Sequence, residues 1–354
     1  MKIAQVSPLY ESVPPSGYGG TERVVSYLTE ELVDLGHKVT LFASGDSRTR
    51  AKLVPICSSS LRTDQRCIDP ISHHMLMLEQ VAKAAETFDI IHFHTDYLHF
   101  SLARRIGVPF ITTLHGRLDI PDLAPLYREF SDIPLISISD AQRKPLSWAN
   151  WQATVYHGLP NGLYRLNESP GSYLVFIGRI SPEKGLELAV EVAKQADIPL
   201  KIAAKVGKAD EAYYKEAIRP LLNHPLIEFL GEVGEREKQE LLGNALAFLF
   251  PIDWPEPFGL AVIEALACGT PVIARRRGSI PEIVEDGLTG FIFDDIRGAV
   301  QAVRKAGSLN RIRVRSEFKR RFSARRMALD YLAAYERLME THQETGSSRI
   351  AYIA

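Results

Sequence analysis

A rhythm that runs once, stops and starts again limits what this chain can fold into. Short β-rich runs alternate with amphipathic stretches from the first residues, with KIAQVSP, TERVVSYLTEELVDLG and KVTLFAS opening the series. KLVPICS, DIIHFHT, PFITTLH, PLISIS and ATVYHG continue it, mostly with helical stretches between them. Such alternation predicts a parallel sheet with helices on both faces. Around 158–172 the text becomes GLPNGLYRLNESPGS, dense in Gly, Pro, Asn and Ser, which reads as a linker. The rhythm then resumes with YLVFIGRI, GLELAVEVAKQA, PLKIAAKV, AYYKEAIRPLLN, LIEFLGEV, REKQELLGNA, LAFLFPI and PVIARR.

A chain of 354 residues is too long for one ordinary core. The predicted class is therefore α/β, with two doubly wound, Rossmann-like domains at about 1–160 and 170–324. Two such domains in series are expected to face one another across a cleft, since open α/β sheets bind ligands at the carboxyl ends of their strands.

Lys and Arg number 42 against 43 for Asp and Glu, so no global field draws the chain to nucleic acid. Three scattered cysteines, Cys57, Cys67 and Cys268, have no metal-ligand spacing and point to a reducing, cytoplasmic setting. MKIAQVSPLY lacks the parts of a signal peptide, and no run reaches the ~18 apolar residues of a membrane span. From about 309 the chain is helical and basic (RIRVRSEFKRRFSARRMALDYL). That stretch reads either as a solvated helix face or as a patch for an anionic lipid or acceptor, a peripheral membrane contact.

DWPEPFGLAVIEALACGTPVIA, residues 253–274, keeps two carboxylates in an otherwise apolar run. Glu256 stands between Pro255 and Pro257, and a residue before proline is pushed out of the α region, so it should sit in a stiff extended turn. Pro257 suits a first helical position, which would leave the amides of Phe258, Gly259 and Leu260 as an anion-binding helix start. Glu264 follows within the helix, about 10–12 Å from Glu256 at ~1.5 Å per residue. That is roughly the span of a nucleoside diphosphate sugar from sugar to ribose.

FIGRISPEKG, residues 176–185, sets Arg179 after a strand and Lys184 before a helix, a fork and an ammonium able to grip one diphosphate from two sides. In SGYGGTERVV, Gly19 and Gly20 permit close backbone approach to a ligand, and Thr21 is placed to cap the following helix. This is not GxGxxG, so a nicotinamide dinucleotide fingerprint is absent. His92 and His94 share one strand face, with no third ligand at metal-binding spacing. His115 comes at the end of PFITTLHG, with its ring expected to reach a sugar hydroxyl or the reacting centre.

With GGTERVV, TLHG, GRISPEKG, EPFGLAVIEALACGTPVIA and GSIPEIVEDGLTGFIF in place, the chain resembles the retaining family 4 glycosyltransferases of GT-B architecture. The resemblance implies that Glu256 contacts the donor sugar near its anomeric carbon and Glu264 the ribose. It implies further that Arg179 and Lys184 hold the diphosphate, His115 the donor sugar, and Gly19 and Gly20 the phosphate or acceptor side. A last helix, about 325–345, would cross back onto the N-terminal domain. No metal and no cofactor beyond the nucleoside-diphosphate sugar are expected, and transfer would take place on the face the leaving group departs from. Epimerase and sugar-binding readings share the two lobes but need no acceptor. The donor base, sugar and acceptor are not legible.

Overall fold

The computed structural model describes residues 1–17 and 19–351, the side chains from 345 onward excepted; Tyr18 of the glycine loop thus lies outside the described residues. The chain divides into two compact units, Met1–Gly158 with the segment from Ala324 onward, and Leu159–Ser323.

The first unit is built on seven parallel strands: β1 Lys2–Val6, β2 Lys38–Ala43, β3 Lys52–Pro55, β4 Ile90–Phe93, β5 Phe110–Thr113, β6 Leu135–Ser137 and β7 Trp151–Thr154. Their spatial order is β3-β2-β1-β4-β5-β6-β7. Such strands are covered on both faces by crossover helices, which is why β4 (IIHF) is buried along its whole length. The order reverses between β1 and β4, so the loops after these two strands flank the crevice where a doubly wound sheet takes a ligand. Helix Gly20–Asp34 follows the first of those loops. Helix Ala324–Ala351 packs on it and buries Tyr331 and Tyr335 fully.

The second unit repeats the plan with six parallel strands: β8 Leu174–Ile180, β9 Leu200–Val206, β10 Ile227–Gly231, β11 Ala247–Phe250, β12 Val272–Arg275 and β13 Gly290–Phe293. Their order is β10-β9-β8-β11-β12-β13, reversing between β8 and β11. Its core gathers Leu174, Phe176, Leu186, Val190, Leu249 and Ile273 from strands and helices.

Several local expectations change. β13, GFIF, is an extra edge strand that the rhythm alone does not mark, directly after the turn at 287–289. The stretch predicted as a linker packs within the second unit: Tyr164 is buried, and the Asn167 amide donates to the Cys268 carbonyl at 3.2 Å. The basic stretch is not a simple solvated face. Arg311 and Arg315, four apart on helix Arg311–Arg321, are buried and donate to backbone carbonyls. Among the described residues no helix is long and apolar enough to cross a membrane.

Candidate active site

The crevice of the second sheet is framed by the loops after β8 and β11. Arg179 is the penultimate residue of β8 rather than the first beyond it. Its guanidinium meets Glu183 at 2.7 Å and Asp210 at 3.5 Å, and stays about half exposed. A short 3₁₀ turn, Pro182–Lys184, ends in left-handed Gly185 and sends the lysine back over the crevice. The two loops are tied together by the Asp253 amide, which donates to the Glu183 carbonyl at 2.9 Å.

Lys184 reaches Glu256 directly: Nζ stands 2.8 Å from Oε2, with both side chains largely buried. The Trp254 indole N–H donates to the same oxygen at 3.1 Å, and the ammonium lies 5.1 Å above the Trp254 ring. A carboxylate, an ammonium and an aromatic face thus form one unit, a charge-assisted bond reinforced by a cation–π contact. The Glu256 backbone is non-helical and held from outside. Its carbonyl accepts from the Ser279 amide at 3.0 Å, and a Cβ on Gly278 (φ +50°) would lie 2.3 Å from that carbonyl oxygen. Only a glycine fits there, a support the sequence reading missed.

The helix behind Glu256 opens later than expected. It spans Leu260–Ala267, not a run from Pro257, because Gly259 takes φ +90°, which a right-handed helix cannot include. Phe258 is correspondingly a core side chain, 2% exposed and edge-on to Phe322 at 6.2 Å. The free end of the helix is therefore formed at Gly259 and Leu260, one turn later than predicted, and faces the same loop.

Glu264 sits on the second turn, 5% exposed. Its Oε1 accepts from Lys238 Nζ at 2.9 Å, and Lys238 also meets Glu235 at 3.0 Å. Lys238, on helix Glu235–Gly243, was missed, since an exposed-looking Glu–Lys pair at i,i+3 carries no sign of a third partner. Each carboxylate of the pair therefore has its own lysine.

The remaining predicted residues lie in the first unit. Helix Gly20–Asp34 begins at Gly20 with Gly19 as its cap residue and no side-chain cap, so Thr21 is inside the first turn and does not cap. Gly19 is close to the loop before it: an added Cβ would lie 2.8 Å from Pro15 Cβ. The absence of a side chain at 19 is thus already required by packing.

His115 lies two residues beyond β5 rather than at its end. Its Nε2 is 2.9 Å from His94 Nδ1, and its ring stacks on His157 at 5.3 Å. Its Nδ1 is closed off from solvent and has no hydrogen-bond partner among the described residues. Burial pushes its pKa down to about 3 and those of His92 and His94 well below the usual histidine range, so all three are neutral near pH 7. His92 and His94 are spent on hydrogen bonds to Tyr335, Thr113, Gln5 and His115. Asp96, just past β4 at the crevice, holds a left-handed backbone (φ +47°), a feature no motif announced.

Residues 18–157 match the family described as Glycosyltransferase Family 4, and residues 166–317 the family described as Glycosyl transferases group 1. The chain is 25% identical, over 99% of its length, to the phosphatidyl-myo-inositol mannosyltransferase of Mycolicibacterium smegmatis, of which it covers 95%. Among solved structures, AviGT4, a glycosyltransferase involved in avilamycin A biosynthesis, is similar with a TM-score of 0.74 at 25% identity. The likeness covers 96% of this chain and 98% of that one. HepE of Anabaena, solved with UDP and glucose, gives 0.73 at 17% identity over 95% and 99% of the two chains. Two parallel sheets of this order and these matches define a GT-B glycosyltransferase, and the chain belongs to family 4 of that class.

Proposed function

We propose that this glycosyltransferase moves a hexosyl group from a nucleoside-diphosphate sugar to an acceptor hydroxyl with retention of anomeric configuration, and that it uses no metal ion or further cofactor. The observation that carries the reading is the Lys184–Glu256 pair, 2.8 Å apart, at the crevice of the second sheet. HepE, similar in fold, binds UDP and glucose, and the mycobacterial relative is named for mannosyl transfer.

A departing nucleoside diphosphate develops negative charge, and fixed cations aimed at it lower the barrier. Lys184 can bridge Glu256 and a phosphate, Arg179 stands on the adjoining strand end, and the amides at Gly259 and Leu260 add the positive end of a helix. These charges do the work a divalent cation would otherwise do. Phe258 backs that helix end from the core, and Glu264 holds the ribose hydroxyls beside Lys238. Glu256 orients the sugar near its anomeric carbon instead of attacking it. The departing oxygen takes the acceptor proton on the face it leaves.

His115 holds a sugar hydroxyl, and the Gly19–Gly20 loop serves the phosphate or the acceptor. The acceptor is a hydroxyl of a saccharide, a lipid-linked carrier or a small molecule. The test is product analysis: with UDP-, GDP- and ADP-hexoses and a panel of such acceptors, nuclear magnetic resonance should report the donor's anomeric configuration in the product, unchanged by EDTA. An inverted product, or activity abolished by EDTA and restored by a divalent cation, would contradict it.

A further inference from the structure

A continuous chain of buried polar side chains runs from the C-terminal helix through the first sheet to His115. Its links are Tyr331 to Thr113 at 3.0 Å, Thr113 to His92 Nε2 at 2.7 Å, and His92 Nδ1 to Tyr335 at 2.6 Å. It continues from Tyr335 to Gln5 Nε2 at 3.2 Å, from Gln5 Oε1 to His94 Nε2 at 2.8 Å, and from His94 Nδ1 to His115 Nε2 at 2.9 Å. Gln5, Thr113, His92, Tyr331 and Tyr335 are wholly buried.

Every hydroxyl and neutral imidazole in this series can donate at one bond and accept at the next. Gln5 alone has one end that only donates and one that only accepts. Its orientation therefore sets the direction of the whole series.

That direction follows from chemistry. His92 touches two hydroxyls and, being neutral, accepts from one and donates to the other. The phenol of Tyr335 is far more acidic than the alcohol of Thr113 and is the better donor of the two. Tyr335 thus donates to His92 Nδ1, and His92 Nε2–H donates to Thr113. With its proton committed, the Tyr335 oxygen accepts from the Gln5 amide nitrogen. Gln5 Oε1 then accepts from His94 Nε2–H, so His94 Nδ1 carries a lone pair and accepts from His115 Nε2–H. His115 is left with an unprotonated Nδ1. Reversing the amide would reverse each bond and strand a buried N–H at that atom, a rarer defect than an idle acceptor.

We infer that Gln5, a residue at the centre of the first sheet, fixes the tautomer of His115, with the proton on Nε2 and a lone pair on the enclosed Nδ1. The part of the test that reads transfer rests on the assignment of His115 to the donor sugar; the tautomer does not. Gln5 acts only through His94 and is a positioning residue.

Histidine-selective nitrogen-15 labelling of the full chain tests this. Long-range proton–nitrogen correlation distinguishes the tautomers, and the His115 signals are identified by their loss in His115→Ala. The wild-type protein should show the Nε2–H form at His115. Gln5→Leu, which removes both ends of the amide, should mix or reverse it and lower kcat/KM by about tenfold, the cost typical of a lost supporting partner. An Nδ1–H form in the wild type, or an unaltered pure Nε2–H form in folded Gln5→Leu, overturns the inference. His115→Ala with undiminished transfer would instead remove the donor-sugar role while leaving the tautomer result standing.

Discussion

Glu256→Ala will remove transfer activity, with kcat down by roughly 10²–10³ or more, in a protein that still folds. The size follows from what one truncation takes away. The carboxylate is the shared acceptor of Lys184 and of the Trp254 indole, so its loss frees the ammonium and unfixes the aromatic plane beneath it. A free Lys184 can turn from the sugar end to the phosphates or to water, and the sugar loses its orienting group. The fold survives because Glu256 belongs to no helix or strand, and its backbone is held independently by the Ser279 amide and by the seat at Gly278. The lysine left behind is about one-fifth exposed and can turn towards water, which keeps the stability cost below the ~3–5 kcal/mol of a fully buried pair that loses one partner. Rates beside a thermal melt check both halves. Glu256→Gln, which can still accept from Trp254 but carries no charge, should fall between. A Glu256→Ala enzyme with near-normal rate would end the role given to this residue.

Arg311→Met should destabilise the second unit by about 3–5 kcal/mol, enough to threaten soluble expression. Arg311 is 4% exposed and, among the described residues, has no carboxylate partner. Its guanidinium instead donates to the carbonyls of Asn167 at 2.6 Å, Ala245 at 2.8 Å and Gly243 at 2.8 Å, and to the Thr270 hydroxyl at 2.6 Å. Methionine fills the volume but leaves those acceptors dry, and a buried acceptor without a donor forfeits its solvation. Relief from burying a charge offsets part of the loss, which sets the lower figure. Arg315 works beside it, donating to the carbonyl of Ala267, the last residue of the helix that carries Glu264. Arg320, on the same helix but exposed and paired with Glu317, is the internal control, and Arg320→Met should leave the denaturant midpoint essentially unchanged. Denaturant midpoints for the two variants compare a strut with a surface charge.

The contrast between those arginines shows how much could be read beforehand. Strand and helix periods report whether a residue faces inward, and they suffice for two doubly wound sheets because parallel strands are apolar on both sides. They do not say what a buried cation touches, so a basic stretch looked solvated when two of its members hold carbonyls 40 and more residues away. The carboxylates 256 and 264 were legible because charge inside an apolar run is costly and must be answered by something. Lys184 was found with them, but Lys238 was not, since its link to Glu264 spans two helices. The helix start was misplaced for a local reason. Pro257 fits a first turn, and no rule of spacing reveals that Gly259 will take a positive φ to let Phe258 into the core. Gln5 was invisible for the opposite reason: in a strand it looks like one polar residue in an apolar run, and its meaning lies in partners 89 and 330 positions away.

On the function proposed above, the loops after β8 and β11 hold a nucleoside diphosphate through Lys184. Calorimetric titration of UDP, GDP and ADP into the wild-type protein and into Lys184→Met addresses it directly. Saturable binding of at least one of the three, weakened by about tenfold or more in the variant, a loss of about 1.4 kcal/mol, is the result expected. Equal affinity in the two proteins, or no saturable binding of any of the three to the wild type, would contradict it.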